Sequence, residues 1–310
     1  MNNPLSLQGT FTALVTPFKS GKVDVEGLRA NIRFQIESGI NGLLMLGTTG
    51  ESPTLSKEER DLVIRTAVEE SKNLTNGKVP VMVGTGCNST KTTIEHTQRA
   101  EELGANIALV VTPYYNKPTQ EGIFLHFEAV VKKTKLPVVV YNIAGRTGIN
   151  IETSTMERLA KLPQIIGVKE SSCNIAQIGD VIRDISQKHP NFHVMSGDDP
   201  LTFGVIALGG HGVISVLSNL TPKAIVKMVD AARKGDVAQA RKLHYELLPL
   251  FKGIFMETNP IPIKTAMNMY GMAAGECRLP LCELLPENKL KLKTLLKKSK
   301  ALVEAPHGKN

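Results

Sequence analysis

Short apolar runs recur eight times along this chain, at 12–15, 42–46, 79–83, 107–111, 138–141, 165–168, 193–196 and 212–215. Amphipathic stretches at 25–38, 57–71, 90–103, 120–133, 153–161 and 175–188 lie between them. Leu62, Val63, Thr66, Ala67 and Glu70, for example, keep the 3.6-residue spacing of a helix with one buried side. Strand then helix, repeated at intervals of roughly 25–35 residues, predicts a closed parallel TIM (β/α)8 barrel in the α/β class, not an open doubly wound sheet. Further helical patterns follow at 222–234, 236–255, 261–270 and 287–303. The expected organisation is a barrel over 1–234, a C-terminal helical extension over 235–303 and a flexible tail over 304–310.

Composition narrows the class of function. The chain has 310 residues, 42% hydrophobic and 21% charged, enough apolar material for a large core. Its net charge of +8 could signal nucleic acid, but seven lysines (289, 291, 293, 297, 298, 300 and 309) crowd the C-terminal segment. The rest is nearly neutral. With Leu292, Leu295 and Leu296 available for one face, this segment reads as a docked helix with a solvated lysine face, and neither nucleic acid nor membrane is expected as a partner. Cys87, Cys173, Cys277 and Cys282 form no C-x-x-C pair and the histidines no H-E-x-x-H, so neither a zinc site nor a disulfide framework is indicated. The start lacks the basic and apolar segments of a signal peptide, which makes the cytoplasm the expected compartment.

In a parallel barrel the active site lies at the C-terminal rim of the strands, and here that rim carries unusual chemistry. Lys169 closes the run 165–168. A free lysine amine is almost wholly protonated at neutral pH, but desolvation or a neighbouring cation favours the unprotonated nucleophile. A solvated strand cap is the plainer reading of such a lysine. The turn Gly47-Thr48-Thr49-Gly50-Glu51-Ser52 offers backbone N–H groups and two hydroxyls, suited to a small carboxylate or merely to a βα turn. Tyr114, Tyr115 and Tyr141 also fall at strand ends, where a phenol can relay a proton or pack at an interface. Arg146 has a fork for a second carboxylate, or for an exposed ion pair. Gly84-Thr85-Gly86 is no dinucleotide loop, because Ser89 stands at the third glycine position.

Taken together, Gly47-Thr-Thr-Gly-Glu-Ser52, Val111-Thr-Pro-Tyr-Tyr-Asn-Lys-Pro118, Tyr141-Asn-x-x-x-Arg-Thr-Gly148, Gly167-Val-Lys-Glu170 and Gly209-Gly-His-Gly-Val-Ile-Ser215 resemble the dihydrodipicolinate synthase family, within the pyruvate-dependent class I aldolases. The likeness runs from about Gly9 to Pro286. It implies condensation of pyruvate with L-aspartate-4-semialdehyde in diaminopimelate and lysine biosynthesis. It also implies a Schiff base on Lys169 and no other cofactor. By position, Thr48 and Thr49 hold the pyruvate carboxylate, and Tyr141, Thr48 and Tyr115 form the proton relay. Tyr115 comes from a neighbouring subunit of a homotetramer, a dimer of dimers. Arg146 receives the semialdehyde carboxylate, while Gly197 and Ile214 line the lysine's pocket. Ser52, Asn88 and Tyr114 match a possible effector site.

Two departures stand out. Ala144 replaces the proline common three residues after the strand-5 tyrosine, which is expected to loosen the loop that aims Arg146. Lys57, Arg60 and Thr92 stand where lysine-inhibited members often carry histidines and a glutamate, so weak or absent lysine feedback is expected. The nearest alternatives are N-acetylneuraminate lyase and a 2-keto-3-deoxy sugar-acid aldolase. Both take a sugar aldehyde, which needs hydroxyl partners in place of a second carboxylate clamp. A non-catalytic keto-acid-binding barrel would have lost the nucleophile or relay, and Lys169, Tyr141, Tyr115 and Thr48 are all present.

Overall fold

The computed structural model describes residues 7–304; apart from Glu304, the expected tail therefore lies outside the described residues. Eight parallel strands close into a barrel: β1 Gly9–Ala13, β2 Gly42–Met45, β3 Val81–Gly84, β4 Ile107–Val111, β5 Val138–Asn142, β6 Ile165–Glu170, β7 His193–Ser196 and β8 Gly212–Ser215. Each pairs with its sequence neighbours, and β1 seals the ring against β8 through Gly9↔Gly212 to Thr12↔Ser215. The expected barrel is correct; several boundaries are not. β1 starts three residues earlier than its apolar run, because Thr10 is a fully buried strand residue despite its hydroxyl. β6 continues through Lys169 and Glu170, since ladder pairing persists after the apolar pattern stops.

Alternation explains what faces where. Phe11, Leu44, Met82, Leu109, Val139, Tyr141, Met195 and Ile214 pack together inside the barrel, while the intervening residues join the larger layer between strands and helices. The register aligns Val111, Tyr141, Lys169 and Met195 at one level on four adjacent strands. Lys169 therefore belongs to the barrel, not to a solvated cap.

Helices α1 Val25–Glu37, α2 Lys57–Thr75, α3 Thr90–Glu102 and α4 Gln120–Val131 begin at side-chain caps from Asp24, Ser56, Ser89 and Thr119. The helix expected over 175–188 is α only to Val181 and then widens into a π turn over Ile182–Ser186. After β8, helices Pro222–Arg233, Val237–Gly253, Ile261–Met269 and Pro286–Lys298 follow. In the last of these Leu292 and Leu296 are buried, as expected, and its lysines lie around them. It stops five residues short of 303 because the chain turns back to dock: Glu304 N–H donates to Leu220 O, and Glu304 Oε1 accepts from Lys223 N–H. A short hairpin, Phe18–Lys19 with Lys22–Val23, gave no signal in the sequence. Among the described residues no helix is long and apolar enough to cross a membrane.

One buried titrating group yields a stability prediction. Burial pushes the His126 imidazole down to about 4, with Nδ1 bonded to the Thr90 hydroxyl at 2.9 Å. The neutral ring is favoured in the fold, so its contribution is complete above an unfolded pKa of ~6.5 and is lost as pH falls toward 4. Glu170 and Asp199 oppose this trend, because burial raises both carboxyls and favours their protonated forms. The difference between variants isolates the histidine: urea midpoints should show His126→Gln losing about 3 kcal/mol less than the parent between pH 7 and pH 4.

Candidate active site

Lys169 is only 5% exposed, and its Nζ sits 4.2 Å from the centroid of the Tyr141 ring, its register partner on β5. Its other neighbour is Gly197, just past the end of β7. A Cβ at 197 would meet Lys169 Cε at 2.9 Å, Cγ at 3.0 Å and Ser171 Oγ at 1.9 Å. Any larger residue there would drive the lysine from its place. Ile214 packs in the same interior cluster as Tyr141 and Met195. The three residues after it are held by Asp199, which accepts from Ser215 Oγ at 2.5 Å and from the N–H groups of Val216 and Leu217. Next to Gly197, burial raises the Asp198 carboxyl above its usual range; the Cys173 thiol, donating to it at 3.2 Å, and the charge of Lys169 oppose the rise.

A cavity of about 300 Å3 opens at the rim above this cluster. Gly47, Thr48, Tyr141 and Arg146 line it, with Asn259 and Tyr114 on other walls. Thr49 stands behind that lining, buried, and accepts a hydrogen bond from Asn259 Nδ2 at 3.0 Å. Arg146 is exposed and donates from Nη2 to Asn259 O at 3.3 Å, and it makes no ion pair among the described residues. Asn259 thus connects the hydroxyl turn to the guanidinium. The sequence offers no hint of this, since 210 residues separate the bonded pair.

The one-turn helix Ala144–Thr147 carries Arg146, and Gly148, at φ +73°, closes it by donating to Ala144 O at 2.9 Å. From both ends the loop is tied to Asn142. Asn142 Nδ2 donates to Asn150 Oδ1 at 2.9 Å and to Glu170 at 3.2 Å, and its Oδ1 accepts from Ile151 N–H at 3.1 Å. These bonds hold the residues on either side of the one-turn helix, whatever residue stands at 144.

Tyr115 points away from its own barrel. It is 90% exposed with φ +72°, a conformation in which non-glycine residues are strained. Tyr114 turns inward to border both this cavity and a second one, which Ser52 also lines; Asn88 borders neither.

The turn after β2 has an anchor that sequence reading missed. Glu51, itself at φ +52°, forms a fully buried ion pair with Lys264 at 2.7 Å. The same ammonium donates to Thr16 O and Glu276 O and lies 4.4 Å from the Phe18 ring. Glu51 Oε2 accepts from Arg278 N–H, and the Arg278 guanidinium pairs with Glu59.

The Lys169 amine lies against the Tyr141 ring, and Tyr141 in turn borders the cavity that Gly47, Thr48 and Arg146 line; Lys169 itself is not among the residues lining it. Fold and site together define a barrel lyase of the aldolase type. The model of the dihydrodipicolinate synthetase family matches residues 6–299. The 4-hydroxy-tetrahydrodipicolinate synthase of Protochlamydia amoebophila is 51% identical, over 94% of this chain and 96% of its own length. That of Methanococcus vannielii is 50% identical, over 94% and 98%. A crystal structure of dihydrodipicolinate synthase from Thermotoga maritima superposes with a TM-score of 0.92 at 44% identity, over 95% of this chain and 99% of that one. The chain belongs to the dihydrodipicolinate synthetase family. With it comes the class, a pyruvate-dependent class I aldolase-type lyase.

Proposed function

We propose that Lys169 carries the covalent step of the 4-hydroxy-tetrahydrodipicolinate synthase reaction, the condensation of pyruvate with L-aspartate-4-semialdehyde. The observation that carries this reading is the buried amine held between Tyr141 and Gly197 at the end of β6. Its Nζ attacks C2 of pyruvate and water leaves, forming an iminium. The iminium draws electrons from C3, which loses a proton to give an enamine. That enamine attacks the aldehyde carbon, the new alkoxide takes up a proton, and the semialdehyde's own amine then adds at C2 and displaces the Lys169 amine, closing the ring and freeing the enzyme. Tyr141, Thr48 and a Tyr115 from a second subunit move these protons, and covalent catalysis on Lys169 needs no separate cofactor. The 90% exposure of Tyr115 supports its use in trans, in a tetramer built as a dimer of dimers. Thr48 and Thr49 hold the pyruvate carboxylate and Arg146 that of the semialdehyde. A biosynthetic role in the cytoplasm fits this chemistry.

Borohydride reduction with pyruvate, followed by peptide mass mapping, tests the reading; no adduct on Lys169 would remove it. A sugar aldehyde condensing faster than aspartate semialdehyde would redirect it to the sugar-acid aldolases. Arg146→Gln should raise KM for the semialdehyde about 10–100-fold, the loss of a charge-assisted pair, while pyruvate adduct formation is unchanged.

A further inference from the structure

A third cavity, of about 400 Å3, opens between the helix Ile261–Met269 and the chain leading into the helix Pro286–Lys298. Two of the chain's four cysteines, Cys277 and Cys282, line it together. Both are free thiols, Cys277 partly buried and Cys282 exposed. Between them Leu281 N–H donates to Arg278 O at 3.0 Å, closing a four-residue turn whose flanks are the two cysteines. Such a turn brings its ends within ~7 Å, and a disulfide spans Cα atoms ~4.4–6.8 Å apart, so flanking side chains that face one cavity can meet. The backbone on the Cys277 side is fixed: Glu276 O accepts from the Lys264 ammonium at 2.6 Å, and Arg278 N–H donates to Glu51 Oε2 at 2.9 Å. The same turn carries Pro280 and Leu281, which line the active-site cavity.

We infer that Cys277 and Cys282 are a reversible dithiol–disulfide pair, a modification site whose oxidation shifts one wall of the active-site cavity. The oxidant is a low-molecular-weight disulfide. The exposed Cys282 thiolate attacks one of its sulfurs, forming a mixed disulfide and expelling one thiolate; Cys277 then attacks the Cys282 sulfur and expels the second. Two protein thiols give up two electrons and two protons, and the oxidant leaves as two thiols. The surroundings set the order of attack. Burial first, then the charge of Glu51, pushes the Cys277 thiol up to about 11; Cys282 and Glu276 add to the rise and Lys264 opposes it. Cys277 is therefore the slow, resolving partner, and Glu283 and Lys289 line the same cavity with opposite charges. In a reducing compartment the pair stays as thiols and closes only when such a disulfide accumulates.

Incubation of the full chain with oxidised glutathione, followed by tryptic mapping without reduction, tests this. Cleavage after Lys264, Arg278 and Lys289 leaves the cysteines on separate peptides, 265–278 and 279–289, which only the disulfide joins. The joined pair should form, should be undone by dithiothreitol, and should close on the order of 100-fold faster at pH 9 than at pH 7. Cys277→Ser should stop at the mixed disulfide on Cys282. In the joined form kcat/KM should be about 3–10-fold lower and should recover on reduction, whereas Cys282→Ser keeps its rate under the same oxidant. No joined pair under excess oxidised glutathione, joining of Cys282 to Cys87 or Cys173 instead, or equal kcat/KM in the two forms overturns the inference. The rate measurement rests on the reaction proposed for Lys169; the peptide linkage does not, so its failure is distinguishable from loss of the pyruvate adduct.

Discussion

Lys169→Ala should lower turnover on the order of 10^4-fold and abolish the borohydride-stable pyruvate adduct, while the protein still folds. Without the amine no iminium forms, so nothing acidifies the pyruvate methyl and the carbon nucleophile never appears. Lys169 makes no ion pair among the described residues, and its removal leaves only a small void beside Gly197, costing roughly 1–2 kcal/mol. Thermal unfolding close to that of the parent, together with loss of turnover, separates chemistry from folding. A variant that kept a tenth of the parental rate would end the covalent reading.

The largest stability effect should come from Glu51→Gln. This change leaves the Lys264 ammonium fully buried without its counter-charge and is expected to destabilise the fold by about 3–5 kcal/mol, read as a fall in the urea midpoint at constant slope. Lys264→Met combined with Glu51→Gln should recover most of that loss, because an apolar chain of similar volume removes the stranded charge. Glu51 directly follows Gly50 in the turn proposed to hold the pyruvate carboxylate, so Glu51→Gln should also raise KM for pyruvate. If the double variant proves as unstable as the single one, the buried pair is not the source of the stability.

The barrel and the rim residues were legible because they are local facts. Runs such as 107–111 and 193–196 carry their own periodicity, and Lys169, Tyr141 and Arg146 lie at or just beyond strand ends whatever the helices do. β1 was misplaced because Thr10 is polar in type yet buried in the strand. The C-terminal helix was overextended because Leu302 and Val303 continue the apolar pattern, while the stop is set by the distant docking of Glu304 on the start of helix Pro222–Arg233.

By itself, the sequence determined the eightfold strand and helix order and the presence of an amine, hydroxyls and a guanidinium at or just beyond the strand ends. These follow from side-chain chemistry and from spacing along one element. Only the tertiary structure decided that Lys169 lies on the Tyr141 ring with Gly197 at its flank, that Asn259 ties Thr49 to Arg146, and that Glu51 is anchored by Lys264. Those contacts join residues on different strands and loops, as far as 213 positions apart in the Glu51–Lys264 pair. Burial, which gives each of them its strength, exists only once the barrel has closed.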